Sequence, residues 1–258
     1  MHVGGPCTRA TLAAELGLNR STIKAVVDGL AEAGVVTEAV PVARTGAGRP
    51  SLMVLPRPES VVVLAVDVRV EQVAMSMVGL GGEVIGRHSW NLRRSTRTPG
   101  EVITHVAESA QLLADELAVT PLGAGVSVPG VVRRDDGWVH EAPNLEWRDV
   151  ALGDRLAAVL KLPVQVANDA ELGALAEHTR GLARDVADLV YVSAERGVGG
   201  GRGTARRRRR GAGRRATRPG HPIRTARRWR GERHHRTAAT VGRSPAGGRP
   251  RGGRASAP

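Results

Sequence analysis

The sequence predicts an α/β protein with a winged helix-turn-helix at its N-terminus and a disordered Arg/Gly-rich tail at its C-terminus. Three observations carry this. Two helix-period apolar patterns joined by Leu16-Gly17-Leu18 lie within the first 35 residues. From Val61 to Ser193, Val-rich strand patterns mix with helical ones, the mark of an α/β domain. Past Gly201 the pattern stops, and residues 202–258 hold 19 Arg, a single acid (Glu232), and no Lys, Asp, Leu, Met or Phe. The expected units are 1–57, 60–201 and 202–258.

In the first unit, Thr8 can cap a helix over Arg9–Glu15 with Leu12, Ala13 and Leu16 as its apolar face. A second helix starts at Asn19 or Ser21 and runs toward Glu32, with Ile23, Val26, Val27 and Leu30 inward. Ala13, Gly17 and Ile23 fall where a helix-turn-helix needs a small residue, a turn glycine and a branched apolar plug. Gly34 stops the helix. Val35–Ala39 and Leu52–Leu55 can pair as strands around an Arg44–Ser51 wing rich in Gly, Pro and Arg. A plain helical hairpin fits the helix spacing equally well; the wing following in order favours DNA binding. In that mode Arg20, Ser21, Thr22 and Lys24 face the major groove, Asn19 lies near the phosphates, and Arg49 can enter the minor groove. Each could instead be a solvated residue or a phosphate contact that positions without specifying. A winged helix normally has a further helix ahead, which Met1–Cys7 is too short to supply, so that helix is expected to be missing.

The second unit opens with strands over Val61–Val68 and Gln72–Val78, with Gly81-Gly82 turning into Glu83–His88. Thr98-Pro99 starts a helix through Leu117, with Val102, Val106, Ala110, Leu113 and Leu117 on one face. Leu122–Val128 is a strand ending in Pro129-Gly130. A helix over Val150–Lys161, a strand over Val164–Ala167 and a helix over Asp169–Arg180 follow. Leu189–Ser193 is the last strand, and Gly197–Gly201 the loop after it.

Charge separates body from tail. Removing 19 Arg and Glu232 from the chain's 38 basic and 25 acidic residues leaves 19 and 24, a net charge of −5 for residues 1–201. The overall +13 therefore describes the tail. With so few large apolar residues, the tail cannot offset the entropy of ordering. It is either a nucleic-acid arm of sequence-blind affinity or a GC-rich stretch translated out of frame. The joint loss of Leu, acids and periodicity at one point favours the second. Cys7 is the only cysteine, which excludes an internal disulfide or a cysteine metal cluster. No signal peptide is evident, and the Val61–Val66 run is too short to span a bilayer. A cytoplasmic chain with no membrane partner and no cofactor is expected.

The strand-strand-strand-helix-strand order, with an Asp at the first strand's end, resembles the actin-like (ribonuclease H-like) sugar kinase fold. With the winged helix ahead of it, the chain resembles the transcriptional regulators of the ROK family (repressors, open reading frames and sugar kinases). The residues that carry the likeness are Ala65-Val66-Asp67, Gly125-Val126-Ser127-Val128-Pro129-Gly130-Val131-Val132, and Ala142-Pro143-Asn144-Leu145 with Trp147. Pro163-Val164-Gln165-Val166-Ala167-Asn168-Asp169-Ala170 and Gly197-Val198-Gly199-Gly200-Gly201 complete the set. The likeness spans roughly residues 8 to 201 and implies a partial kinase-like domain, cut short at both ends.

The resemblance implies that Asp67, Gly197, Gly199 and Gly200 are remnants of two phosphate loops, and that Asn144, Asn168 and Asp169 contact a sugar. In the family's kinases the Asp matching Asp169 is the base for the sugar hydroxyl. A capping role for Asp169 is the alternative. The departures argue against catalysis. Asp67-Val68-Arg69-Val70-Glu71 has none of the glycines that let backbone N–H groups meet ATP phosphates, and Glu195-Arg196 replaces the family's Gly-Thr. The family's later His and Cys-rich zinc motif is absent, and no metal is expected. If the tail is out of frame, a neighbouring frame must carry that motif in a Leu/Val-patterned sequence. The expected function is a sugar-responsive DNA-binding repressor of carbohydrate metabolism, not an enzyme. Its expected partners are an operator, a small sugar or sugar phosphate, and a second copy in a homodimer. The rivals are a ROK-type kinase phosphorylating a hexose with ATP, and nonspecific nucleic-acid binding through the tail.

Overall fold

Helix capping organises the N-terminal unit. The structure is a computed structural model, and it describes residues 5–40, 51–184, 186, 188–194 and 198–204. A short strand, β1 (Cys7–Thr8), leads into α1 (Arg9–Leu16), whose first turn is capped by the Thr8 hydroxyl accepting from Thr11 N–H at 3.1 Å. Gly17 ends α1 in the left-handed region (φ 66°), and its N–H donates to the Ala13 carbonyl. Asn19 caps α2 (Arg20–Glu32) by accepting from Thr22 N–H at 2.8 Å. Strands β2 (Val36–Ala39) and β3 (Met53–Pro56) pair antiparallel, and β1 joins the other edge of β3. Ile23, Val27, Val36 and Val54 are buried, with Leu12, Ala13, Leu30 and Val35 around them.

Two expected core residues lie outside. Leu16, the last residue of α1, is 62% exposed. Val26 is 49% exposed because it sits about 100° around the helix from Val27, and the 23/27 stripe takes the core contact. The Arg44–Ser51 wing falls almost wholly outside the described residues, which resume at Ser51. Arg9 ties the unit together, donating to Glu38 at 2.7 Å and to Asp28 at 2.6 Å.

The α/β unit is built on one sheet. After a single 3-10 turn at Pro58–Ser60 come β4 (Val62–Val68), β5 (Gln72–Gly79) and β6 (Val84–Asn91), an antiparallel meander. The Gly81-Gly82 turn has φ of 95° and 88°, a backbone that side chains rarely adopt. Helix α3 (Pro99–Leu117) is capped by Thr98 and returns the chain to β7 (Ala124–Val128), parallel to β4. Strands β8 (Val131–Val132), β9 (Val139–Ala142) and β10 (Trp147–Val150) form a small separate sheet, followed by α4 (Leu152–Leu160). Strand β11 (Val164–Asn168) pairs parallel with β7 and runs directly into α5 (Asp169–Thr179). The main sheet order is β11-β7-β4-β5-β6.

Alternation explains the core. In β5 every second residue is buried, with Val73, Met75 and Met77 at 1% exposure or less. Helix α3 adds Val102, Ile103, Val106, Ala110 and Leu113. Each such side chain contributes about 1.5–3 kcal/mol relative to solvent exposure. Aromatics are scarce, so Val, Leu and Met carry this core, with Trp147 as its buried ring.

The C-terminal part differs from expectation. Val198–Thr204 is a strand, β13, paired antiparallel with β12 (Asp188–Ala194) so that Tyr191 faces Gly201 and Asp188 faces Thr204. The glycines 199–201 are thus sheet residues and not a loop, and the strand runs three residues past Gly201. Close packing explains them. A Cβ on Gly199 would lie 3.1 Å from Ala170 Cβ, and one on Gly201 would meet the Ala170 carbonyl and lie 2.9 Å from Ala174 Cβ. Val150, expected in a helix, closes β10 instead.

Candidate functional site

Three parallel strands end side by side, and the residues that matter follow from their register. Asp67 of β4 lies opposite Ser127 of β7, and Asn168 of β11 lies opposite Val128. The carboxyl ends of such strands are where α/β sheets bind ligands. Here they open into a cleft of about 540 Å³ whose lining includes Asp67, Asn144, Asn168, Asp169, Gly199 and Gly200. Six of the expected sugar and phosphate positions are therefore brought together. The seventh, Gly197, lies outside the described residues.

Asn168 is committed to the scaffold. Its Oδ1 accepts from Ala170 N–H (3.0 Å) and Glu171 N–H (3.1 Å), and its Nδ2 donates to the Gly130 carbonyl (2.9 Å). An amide has two donors and two acceptor lone pairs, so one N–H is left for a ligand. The α5 cap is Asn168, not Asp169; Asp169 is the first helical residue, and its Oδ1 accepts from Ala170 N–H at 2.8 Å. Asn144 sits in the turn between β9 and β10, held by its carbonyl accepting from Arg97 Nη1 at 3.0 Å. The Trp147 indole N–H donates to the Arg97 carbonyl at 2.6 Å, which locks that turn onto the segment ahead of α3.

Across β7 from Asn168, the Arg69 Nε donates to Asp67 Oδ2 at 2.6 Å. Val68, Arg69 and Val70 line the wall where a glycine turn would leave backbone N–H groups accessible. Arg69 lies just past the end of β4, close enough in the chain for its side chain to turn back onto Asp67. Glu141 and Tyr191 also line the cleft and were not anticipated. Tyr191 is seated because Gly173 has no side chain; a Cβ there would lie 2.6 Å from its ring.

On the N-terminal unit, Arg20, Ser21, Thr22 and Lys24 are all exposed near the start of α2. Asn19 is occupied as the cap and accepts from the Ser21 hydroxyl at 2.8 Å. Lys24 pairs with Asp28 at 2.6 Å. Arg49 lies outside the described residues. Among the described residues, no cluster of three or more His, Cys, Asp or Glu could hold a metal ion, and no helix is long and apolar enough to cross a membrane.

Known proteins similar to this chain include both repressors and sugar kinases. A xylose repressor of Caldicellulosiruptor bescii is 28% identical over 196 residues, covering 75% of this chain and 49% of its own length. A glucokinase of Halalkalibacterium halodurans is 31% identical over 142 residues, covering 54% of this chain and 42% of its own. The crystal structure of a ROK family transcriptional regulator, a homolog of the E. coli MLC protein, superposes with a TM-score of 0.56 at 24% identity, covering 76% of this chain and 50% of that one. That last likeness shows the fold. The chain spans about half the length of the curated relatives it matches. The model of the ROK family matches residues 63–233, well over half of the 258 residues and past Gly201 into the Arg-rich stretch, and the chain belongs to the ROK family.

Proposed function

We propose that this chain is a sugar-responsive DNA-binding transcriptional regulator of the repressor type, in which a kinase-like domain serves as sensor. The observation that carries the reading is the division within the cleft. Asn144, Asn168 and Asp169 supply the mixed donors and acceptors that a polyol needs, while Asp67 and Arg69 occupy the phosphate side with their own ion pair. Residues 1–57 act as a winged helix, with α2 in the major groove and its first turn on base edges. The two helices and the antiparallel β2–β3 pair support this, as does the resemblance to repressors over three quarters of the chain. Two copies in a dimer would place two such helices, and a sugar would shift their placement only through its differential affinity for the two arrangements. D-xylose and D-glucose are the first effectors to try, since relatives carry those names.

The test is fluorescence anisotropy with DNA flanking the gene against random DNA, with and without sugar. Arg20→Ala should cost about 1–3 kcal/mol on the specific site and little on random DNA. Equal weakening on both would remove the base-reading role. A kinase is the second reading, favoured by the glucokinase likeness.

A further inference from the structure

We infer that Arg180 is a positioning residue that carries the state of the cleft to the N-terminal unit. This rests on the sugar-sensor reading above and deepens it by naming the contact through which the two units communicate. Helix α5 supplies one wall of the cleft, with Asp169, Leu172, Gly173 and Ala176 in the lining. Its C-cap is Arg180, whose backbone N–H donates to the Ala176 carbonyl at 2.8 Å. A cleft residue is therefore hydrogen-bonded directly to Arg180. From there the guanidinium crosses to the β5–β6 turn, where its Nη1 donates to the Gly81 carbonyl at 3.0 Å. A Cβ on Gly82 would run into the same guanidinium, so the arginine lies close against the turn.

The same turn also meets the end of the N-terminal unit. Pro56 closes β3, and its Cγ would lie 2.8 Å from a Cβ on Gly81. Leu80 N–H donates to the Pro58 carbonyl at 3.1 Å. Between the two prolines, Arg57 N–H donates to the Val35 carbonyl at 2.9 Å, next to the start of β2. Each proline holds its φ near one value, so this segment passes on a displacement instead of absorbing it. Strand β3 in turn buries Val54 in one cluster with Ile23 and Val27 of α2. Packed and hydrogen-bonded contacts of this kind carry coupling between remote sites. A sugar that favours one setting of α5 would change the hold of Arg180 on the turn, and with it the seating of β3 and α2.

The experiment is hydrogen exchange with mass spectrometry on the 258-residue chain, with and without saturating D-xylose or D-glucose, in wild type and Arg180→Ala. In the wild type, sugar should change exchange severalfold in peptides of 168–176, and also in those covering 79–82 and 53–58. In Arg180→Ala the response at 168–176 should persist while that at 53–58 is lost. A merely structural arginine would alter exchange with and without sugar alike. A wild-type response confined to 168–176 would overturn the inference and leave the sugar reading standing, whether or not the alanine variant folds. A response at 53–58 that survives Arg180→Ala would overturn it as well. No response to either sugar at 168–176 would overturn the sugar reading and the inference with it.

Discussion

Asn168 and Gly130 are joined by a hydrogen bond of 2.9 Å from the side-chain amide of one to the carbonyl of the other. It fastens the end of β11 to the turn after β7, while the same side chain caps α5. One residue therefore sets the angle between a strand, a helix and a neighbouring turn at the mouth of the cleft. Asn168→Ala should destabilise the α/β unit by about 1–3 kcal/mol, from the lost cap and the orphaned N–H groups. Asn168→Ser keeps a capping acceptor for α5 and loses the donor to Gly130, so its loss should be smaller. Urea unfolding followed by Trp fluorescence measures both, and equal losses would contradict the two-part role.

The glycines of β13 give a second expectation. Gly201→Ala should cost about 1–3 kcal/mol, because the new methyl runs into the Ala170 backbone and the sheet and helix must separate. Gly125→Ala is the control: nothing lies within 4 Å of its added Cβ. Thermal unfolding of the two variants should separate clearly. Matching midpoints would mean that the α5–β13 packing is looser than described.

Much of this architecture was legible in the sequence, and the exceptions have a common cause. Strands β4 and β5 and helix α3 announce themselves through period-2 and 3.6 patterns that one buried face imposes. Asn168-Asp169 stood out as a polar pair at a strand end, yet which of the two caps α5 depends on backbone geometry. Strand β9 buries Val139 and Ala142 and exposes His140 and Glu141, a pattern with no period of two. Strand β13 is mostly glycine and has almost no side-chain pattern to read. Its glycines answer to a helix that is remote in the chain.

Acid should loosen the N-terminal unit. A hydrogen bond from Lys24, then one from Arg9, holds the Asp28 carboxyl below its usual range, and Arg9 does the same for Glu38. Both folded values lie below the unfolded ones, so the stabilisation is present above about pH 4 and lost as pH falls through the folded values. Exchange protection of peptides within residues 9–38 should therefore be lower in Arg9→Gln than in wild type at pH 7, with the gap closing near pH 3. A gap that persists at low pH would assign the effect to packing of the arginine stem.

Sugar phosphorylation should be undetectable. With Arg69 on Asp67 and Val68 and Val70 beside it, no glycine turn approaches the phosphates of ATP there. A coupled ADP-release assay over a panel of hexoses should match its no-sugar background. Turnover above background that disappears in Asp169→Asn would make the kinase the better account.

Strand β4 lies at the centre of the main sheet, and its two sides are completed at different times. On one side β5 and β6 follow through short turns, so a nascent chain can close them at little entropic cost. The other edge must wait for β7, which emerges only after the whole of α3. During that interval Leu64 and Val66 sit on a strand with open hydrogen-bonding groups, the kind of edge to which another chain can add. The pairing of Asp67 with Ser127 that shapes the cleft is also the pairing that ends this exposure. Synthesis past β7 thus ends the exposure of this edge as it forms the wall of the cleft.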